Sequence, residues 1–222
     1  MQATDHPWLA CNRANPLATR VSSLHAPIEA GTNISASYVA PRCPADYNQP
    51  TEPSTPWTDE PERPIGCFNG VGDPLPGTFY YPWPHALGPM MVYMAACNGP
   101  CDEFDPKEED VVWFKIAEGG YHPEPLEFND KPDIGYHSAW DQGGSWPRQD
   151  GWSVMIPKSL KPGNYLIRHE IIMIELMPPQ WYPQCAQLTV TGEGDKLPSE
   201  DYLVSFPGAY SMDGKLSTCS RG

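Results

Sequence analysis

Gln180 and Tyr182 are polar residues two positions apart in the segment PPQWYPQC, immediately ahead of a predicted core strand that begins at Cys185. A carboxamide and a phenol both donate and accept hydrogen bonds, so they form a candidate functional pair. The alternative is structural: Tyr182 is a rim aromatic whose hydroxyl bonds a loop backbone, and Gln180 is a rim residue of the same kind. The residues alone leave both interpretations open.

His85 is a second candidate, because it follows Trp83 and Pro84 and precedes a predicted strand, which suggests a position at the rim of the fold. The six histidines are scattered without HxH or HExxH spacing, so a surface ring is the simpler interpretation of any one of them. No GxSxG element, Ser/His/Asp grouping or distinct acidic pair points to a hydrolase.

The seven cysteines, in an acidic and Pro-rich chain, indicate an oxidising compartment and a disulfide framework with one thiol left over. Cys97 and Cys101 are too far apart for a CxxC redox pair and lack the partner pair of a zinc site, so a local disulfide is expected. The full set of expected assignments is Cys97–Cys101, Cys43–Cys67, Cys11–Cys185 across the sandwich, and Cys219 unpaired. Sequence alone leaves seven possible leftovers, each with fifteen pairings.

The charge of the chain restricts its partners. With 14 basic and 28 acidic residues the formal net charge is -14, which repels nucleic acid and anionic membranes and favours a neutral partner. No apolar stretch is long enough for a membrane helix. The Asn33-Ile34-Ser35 glycosylation pattern agrees with secretion, whereas the N-terminus has no leader, so we expect a removed leader or a start that is not the natural one.

The elements that must position these residues are strands, because helical periodicity is scarce and period-two alternation is common. The segment NYLIRHEIIMIEL is apolar on both faces, which predicts a central strand. Further strands are predicted at NISASYV, GPMMVYMAA, VVWFKIA, GWSVMIP and CAQLTVTG. Several short strands in one domain, residues 1–222, favour an antiparallel two-sheet sandwich with long loops.

Residues 41–84 differ from the predicted strands, since they are rich in proline and show no regular alternation of apolar and polar residues. We interpret them as a long surface insertion closed by the Cys43–Cys67 disulfide, either functional or poorly ordered.

Taken in order, the motifs WPHALGPMMVYMAAC, VVWFKIAEGG, IPKSLKPGNYLIRHEII, PQWYPQCAQLTVTGEG and YLVSFPGAYS resemble the fungal lytic polysaccharide monooxygenases of auxiliary activity family 9, formerly glycoside hydrolase family 61. The similarity is close over residues 80–211 and loose over 10–39. It implies an immunoglobulin- or fibronectin III-like β-sandwich, secretion as a monomer, and oxidative cleavage of cellulose or a related β-1,4-glucan at C1 or C4. It also implies one type 2 copper ion, O2 or H2O2 as co-substrate, and a small reductant or cellobiose dehydrogenase as electron donor.

In that family a histidine brace holds the copper through the N-terminal amine and ring of a first His and the ring of a second His. The resemblance matches the second His with His85, the axial tyrosine with Tyr182, and the glutamine that positions the oxygen species with Gln180. It also matches the disulfide pairs Cys11–Cys185 and Cys97–Cys101. Tyr210 matches either an aromatic residue that stacks on the sugar chain or a packing residue.

Two departures from the family pattern stand out. The chain starts at Met1 only ten residues before Cys11, so the first brace His and the family's first strand have no counterpart, and His6 cannot replace them. Glu175 stands where the family usually has a second-shell His, and a carboxylate accepts rather than donates unless it is protonated. Glu175 is therefore a candidate catalytic residue that would deliver protons differently from the family's histidine. The alternative is that Glu175 only ends an exposed strand.

The alternative function is a secreted family member that has lost its brace and binds polysaccharide, or copper weakly, without chemistry. Glu175 favours this reading slightly, whereas the joint presence of His85, Gln180 and Tyr182 argues against a purely structural cell-wall protein.

Because half of the brace is missing from the sequence, we expect the 222-residue chain by itself not to turn over cellulose. The measurement is a reductant-driven assay that detects oxidised cello-oligosaccharides. Release of these products by the purified chain would overturn the expectation.

Overall fold

A computed structural model of the chain describes residues 6–15, 20–36, 87–106, 110–121, 140–142, 152–175 and 178–210. His85, Cys43, Cys67, Cys219 and the insertion predicted at 41–84 lie outside the described residues. The described part of the chain is almost entirely β-structure. Its strands are β1 (Ala26–Glu29), β2 (Asn33–Ala36), β3 (Met90–Ala96), β4 (Trp113–Gly119), β5 (Trp152–Met155), β6 (Gly163–Met173), β7 (Gln180–Thr191) and β8 (Leu203–Val204).

The strands form two sheets, which confirms the predicted β-sandwich. The larger sheet has the order β1-β7-β6-β3-β4-β8, and the smaller sheet pairs β2 with β5. β6 is confirmed as a central strand, since it runs antiparallel to β3 on one side and to β7 on the other. Its side chains from Tyr165 to Met173 are all buried, because each face of the strand is covered.

The two faces of the larger sheet have different covers. On the inward face, Val92, Tyr165 and Ile167 pack with Val154 and Ile156 from the β5 segment of the smaller sheet. The outward face is covered by chain segments instead of a sheet. The outward cluster includes Leu9 and Cys11 from the N-terminal segment, Trp113 from β4, Leu166 from β6 and Phe206 from the C-terminal segment. The larger sheet therefore lies between two hydrophobic cores. Burial of each aliphatic side chain in them stabilises the fold by roughly 1.5–3 kcal/mol.

A buried ion pair lies in the outward core. Arg168 Nη2 is 2.7 Å from Glu170 Oε1, and neither side chain is exposed. Arg168 also donates through Nη2 and Nε to the Leu9 carbonyl, at 3.2 and 3.3 Å, and its guanidinium lies 3.8 Å from the Phe206 ring centre. The second oxygen of Glu170 accepts a hydrogen bond from the Tyr210 hydroxyl. These contacts join both terminal segments of the described chain to the central strand.

Burial acts to lower the pKa of the Arg168 guanidinium, but the charge and hydrogen bond of Glu170 outweigh it and the pKa is raised. Burial and then the Glu170 carboxylate raise the pKa of Tyr210 well above its ordinary value. Arginine therefore remains charged and Tyr210 remains a hydrogen-bond donor across the physiological pH range.

Two disulfides are bonded in the described part of the chain, and both are pairs that the resemblance implied. Cys97 and Cys101 close the loop after β3, with 5.2 Å between their Cα atoms. Cys11 and Cys185 are 5.9 Å apart and join the N-terminal segment to β7. The expectation that Cys11–Cys185 crosses between the two sheets is wrong, because Cys185 packs against the outward core.

The predicted start of β7 is also wrong. The strand begins at Gln180 and not at Cys185, so Gln180 and Tyr182 lie within the strand. Pro183 suggested a loop, but a strand edge tolerates proline. In the described part of the chain, β1 pairs only with the far end of β7, opposite Leu188 to Thr191, and leaves the edge at Pro183 without a neighbouring strand.

β1 and β8 were not predicted. β1 runs parallel to β7, in contrast to the antiparallel pattern expected throughout. Its four residues are mostly exposed and β8 has only two residues, so neither segment shows apolar alternation. Among the described residues, no helix has the length and apolar character to cross a membrane.

His169 should make the stability of the fold depend on pH. It is 6% exposed on the inward face of β6, and burial lowers its pKa from 6.5 to about 4. The unfolded chain then binds more protons between these values, so stability is full above pH 6.5 and is lost as pH falls towards 4, by about 3 kcal/mol at pH 4. Chemical denaturation at a series of pH values measures this loss.

The variant His169→Gln cannot be protonated and should have a flatter pH profile between pH 4 and 6.5. Equal slopes for the variant and the parent chain would show that His169 does not cause the dependence.

Candidate metal site

Gln180 and Tyr182 lie on the same side of β7, at the end where β7 pairs with the last residues of β6. Met173 is opposite Gln180 and Ile171 is opposite Tyr182. The Tyr182 hydroxyl donates a hydrogen bond to Gln180 Oε1. The structure thus joins the two residues that the sequence singled out, and their alternation along one strand explains why they meet.

Tyr182 is fixed by packing on the inward face of the sheet. Its side chain packs against the buried pair of Met90 and Ile171, as does Trp152 of β5. Burial and then the Glu175 carboxylate raise the pKa of the Tyr182 phenol. The group therefore stays protonated at neutral pH, as a weak neutral oxygen donor and not as a phenolate.

Glu175 lies two residues beyond the end of β6 and is exposed. Its Oε1 accepts a hydrogen bond of 3.2 Å from the Leu87 backbone amide, and the Ile174 amide donates to the Leu87 carbonyl at 3.0 Å. Both polar groups of the Leu87 backbone are therefore held from the end of β6. The carboxylate acts here as an acceptor, as its chemistry predicted.

Gly88 and Gln142 complete this anchorage. Gln142 is fully buried, and its Nε2 donates to the Ile172 carbonyl at 3.0 Å. A Cβ on Gly88 would lie 2.6 Å from Gln142 Nε2, and the Gly88 φ of +133° also favours glycine. The segment from Leu87 to Pro89 directly precedes β3 and is held by the end of β6 and by close contact with Gln142.

The donor set around Tyr182 consists of oxygen atoms. The Tyr182 phenol, the Gln180 amide and the Glu175 carboxylate supply them, while His85 lies outside the described residues. Within the described ranges no group of three or more His, Cys, Asp or Glu could hold a metal ion. A protonated phenol is a weak oxygen donor that could supplement the nitrogen ligands of a copper ion, so these residues fit that part of a copper site.

Tyr210 was expected either to stack on sugar or to pack. Its hydroxyl bonds Glu170 and lies 3.3 Å from the Tyr93 hydroxyl, and its ring is 6.4 Å from the Trp181 ring centre. These contacts direct the hydroxyl into the outward core and favour the packing role.

The fold and the Tyr182–Gln180 pair define a β-sandwich protein with a candidate metal site at one end of its larger sheet. The chain belongs to Auxiliary Activity family 9 (formerly GH61), which it matches over residues 1–218. This is a family of lytic polysaccharide monooxygenases, copper-dependent oxidoreductases that cleave polysaccharides and are secreted by fungi.

Relatives of known type agree with this assignment. The chain is 37% identical over 189 residues to AA9 family lytic polysaccharide monooxygenase B of Heterobasidion irregulare, covering 75% of this chain and 73% of that protein. It is 34% identical to the monooxygenase-like protein CEL1 of Agaricus bisporus, covering 74% of this chain and 55% of that protein. The chain thus spans about half the length of some relatives and about three quarters of others.

Solved structures also agree. A cellulose-active polysaccharide monooxygenase from M. thermophila superposes with a TM-score of 0.64 at 27% identity, covering 97% of this chain and 72% of that one. HiLPMO9B superposes with a TM-score of 0.60 at 28% identity, covering 96% of this chain and 71% of that one. The sandwich of this chain is therefore the monooxygenase sandwich.

Sequence reasoning did not identify Gln142 or Gly88. Gln142 lies in the segment DQGG, which is typical of a turn, and a buried amide that bonds a strand carbonyl has no local sequence signal. Gly88 in ALGPM offered one clue, since glycine before a buried strand often marks a close backbone approach.

Removal of the Glu175 side chain should loosen Leu87. In Glu175→Ala the Leu87 amide loses its acceptor, so we expect its hydrogen exchange to accelerate by about twofold to tenfold, as for the loss of one hydrogen bond. Exchange of the apo protein, followed residue by residue, measures this.

Glu175→Gln keeps a side-chain oxygen acceptor and removes the charge, so the Leu87 amide should exchange nearly as in the parent chain. If both variants exchange as the parent does, the contact does not hold Leu87.

Proposed function

We propose that the sheet end carrying Gln180 and Tyr182 is the copper site of a β-1,4-glucan monooxygenase, in which Tyr182 would supply an oxygen ligand and His85 a nitrogen ligand. The observation that carries the proposal is the hydrogen-bonded Tyr182–Gln180 pair at the end of a monooxygenase sandwich. Copper, when bound, would supply one-electron redox chemistry towards O2 or H2O2, with electrons from an external reductant or cellobiose dehydrogenase.

Tyr182 and Gln180 have complementary tasks in this proposal. The phenol proton is directed to Gln180 Oε1, so the lone pairs of the Tyr182 oxygen can face a metal ion. The Gln180 amide then offers its NH2 group as a donor to a polar ligand on the same side of the strand. Packing against Met90 and Ile171 fixes the phenol, so little side-chain entropy is lost when a ligand binds.

Glu175 replaces the histidine that the family usually has near the reacting oxygen. Burial and, to a smaller extent, the Glu175 carboxylate raise the pKa of the Tyr182 phenol, which supports a position of Glu175 near the site. We propose that Glu175 acts as an acceptor near the site and delivers a proton only when it is itself protonated, so that proton delivery differs from the usual family pattern.

The substrate class follows from charge as well as family. The net charge of -14 disfavours anionic polymers, whereas a neutral β-1,4-glucan carries no charge to repel. Secretion as a monomer and glycosylation at Asn33, which is exposed at the start of β2, belong to the same proposal. Cleavage at C1 or at C4 is equally compatible with these residues.

The second candidate is a binding protein that retains the fold without the chemistry. Glu175 favours it, because it departs from the usual family residue and is already engaged with the Leu87 amide. The dependence of copper binding on both His85 and Tyr182 distinguishes the two candidates, since a protein that binds polysaccharide, or copper weakly, without chemistry needs neither residue as a ligand.

Copper titration of the 222-residue chain tests the proposal. We expect one Cu(II) per chain, bound loosely by His85 and Tyr182 and lost in His85→Ala. Tyr182→Phe should remain folded and change the Cu(II) electron paramagnetic resonance spectrum, because the oxygen ligand is removed.

Two matched variants serve as controls. His25 bonds the Cys101 amide at the opposite end of β3, and Tyr202 is 54% exposed near the start of β4. His25→Ala and Tyr202→Phe should leave copper binding and the spectrum unchanged. Copper binding that is indifferent to His85 and Tyr182 would refute the proposed site.

A further inference from the structure

Tyr121 presents a large aromatic ring to solvent just beyond the end of β4. It is 63% exposed, and its ring centre is 5.4 Å from that of Trp140 in an edge-to-face arrangement. The backbones of the two residues also form a bridge. Among the described residues, neither the candidate copper site nor the cores include this ring.

The chain around Tyr121 is held rigidly. Asp141 Oδ2 accepts from the Gly120 amide at 2.8 Å, and the Asp141 amide donates to the Gly120 carbonyl at 3.0 Å. A Cβ on Gly119 would lie 2.7 Å from the same Asp141 oxygen, so the two segments are in close contact. Because Asp141 and Trp140 fix the backbone and one edge of the ring, a ligand that stacks on Tyr121 orders little further structure.

Tyr121 lies at the same end of the larger sheet as the candidate metal site. One row of paired residues crosses four strands, from Gly119 in β4 through Met90 and Ile171 to Tyr182 in β7. Three strand spacings separate Gly119 from Tyr182, a distance of about 14 Å. A linear polysaccharide of several sugar units that reached Tyr182 could therefore extend to Tyr121.

We propose that Tyr121, steadied by Trp140, is a stacking position for a sugar unit of the β-1,4-glucan, several units away from the bond that is cleaved. The inference rests on the proposed function, since it takes the glucan from there. Tyrosine rings offer an apolar face to the C–H face of a sugar and keep a hydroxyl for its polar edge.

A glucan is the occupant that the observations favour over a protein partner. Among the described residues, the exposed ring is a single tyrosine beside a half-buried tryptophan, without the broad apolar area of a protein interface. It is also continuous with the sheet end at which the proposed site receives the same polymer.

Binding of the purified 222-residue chain to microcrystalline cellulose tests the proposal, with thermal unfolding as the check on folding. We expect Tyr121→Ala to weaken binding by roughly twofold to tenfold, the loss of one aromatic contact. Tyr121→Phe should bind as the parent chain does, and Tyr121→Trp at least as tightly. Tyr202→Ala removes an equally exposed tyrosine, 54% against 63%, at the other end of β4 and should leave binding unchanged.

The possible results separate the two proposals. If the parent chain binds cellulose and Tyr121→Ala binds equally well, the stacking position is refuted and the proposed substrate stands. A similar loss in Tyr202→Ala, or in Tyr121→Phe, also refutes the stacking role. If the parent chain does not bind cellulose, both the proposed substrate and the stacking position are refuted.

Discussion

The buried ion pair between Arg168 and Glu170 is the constraint on which the rest of the described structure depends. Two charges inside an apolar core need further hydrogen bonds, and the Leu9 carbonyl and the Tyr210 hydroxyl supply them to Arg168 Nε and Nη2 and to Glu170. Among the described residues, Arg168 Nη1 has no hydrogen-bond partner. Loss of either charge would leave the other charge buried without a partner. This would lower the free energy of unfolding by about 3–5 kcal/mol. The pair therefore favours the Leu9 and Tyr210 segments as the cover of the outward face of β6. Apolar contacts alone would discriminate less between these and other segments.

This division of the sheet into two faces makes the site possible. Because alternate residues of β7 point to opposite faces, Trp181 enters the outward core while Gln180 and Tyr182 face the other way. The outward core and the Cys11–Cys185 disulfide hold β7 in register with β6. Tyr182 thus obtains a fixed position at this end of the larger sheet.

Much of the fold could be predicted from the sequence, because long alternating segments such as β6 are unambiguous and the cysteine pairs agreed with the family resemblance. Short or exposed strands such as β1 could not, since they bury too little apolar surface to leave a pattern. The sequence singled out Gln180 and Tyr182, which the structure brings together, but Pro183 concealed that they lie on a strand, because sequence does not show which strand edges are open. The Arg168–Glu170 pair and the Gln142 contact are tertiary, so residue spacing carried no signal for them.

The central claim is that the metal position lies beside Tyr182, and anomalous X-ray scattering at the copper edge from crystals soaked in Cu(II) tests it most directly. The account predicts an anomalous peak next to the Tyr182 hydroxyl, on the Gln180 side of β7. A peak found only at other residues, with none near Tyr182 in crystals that contain copper, would contradict it.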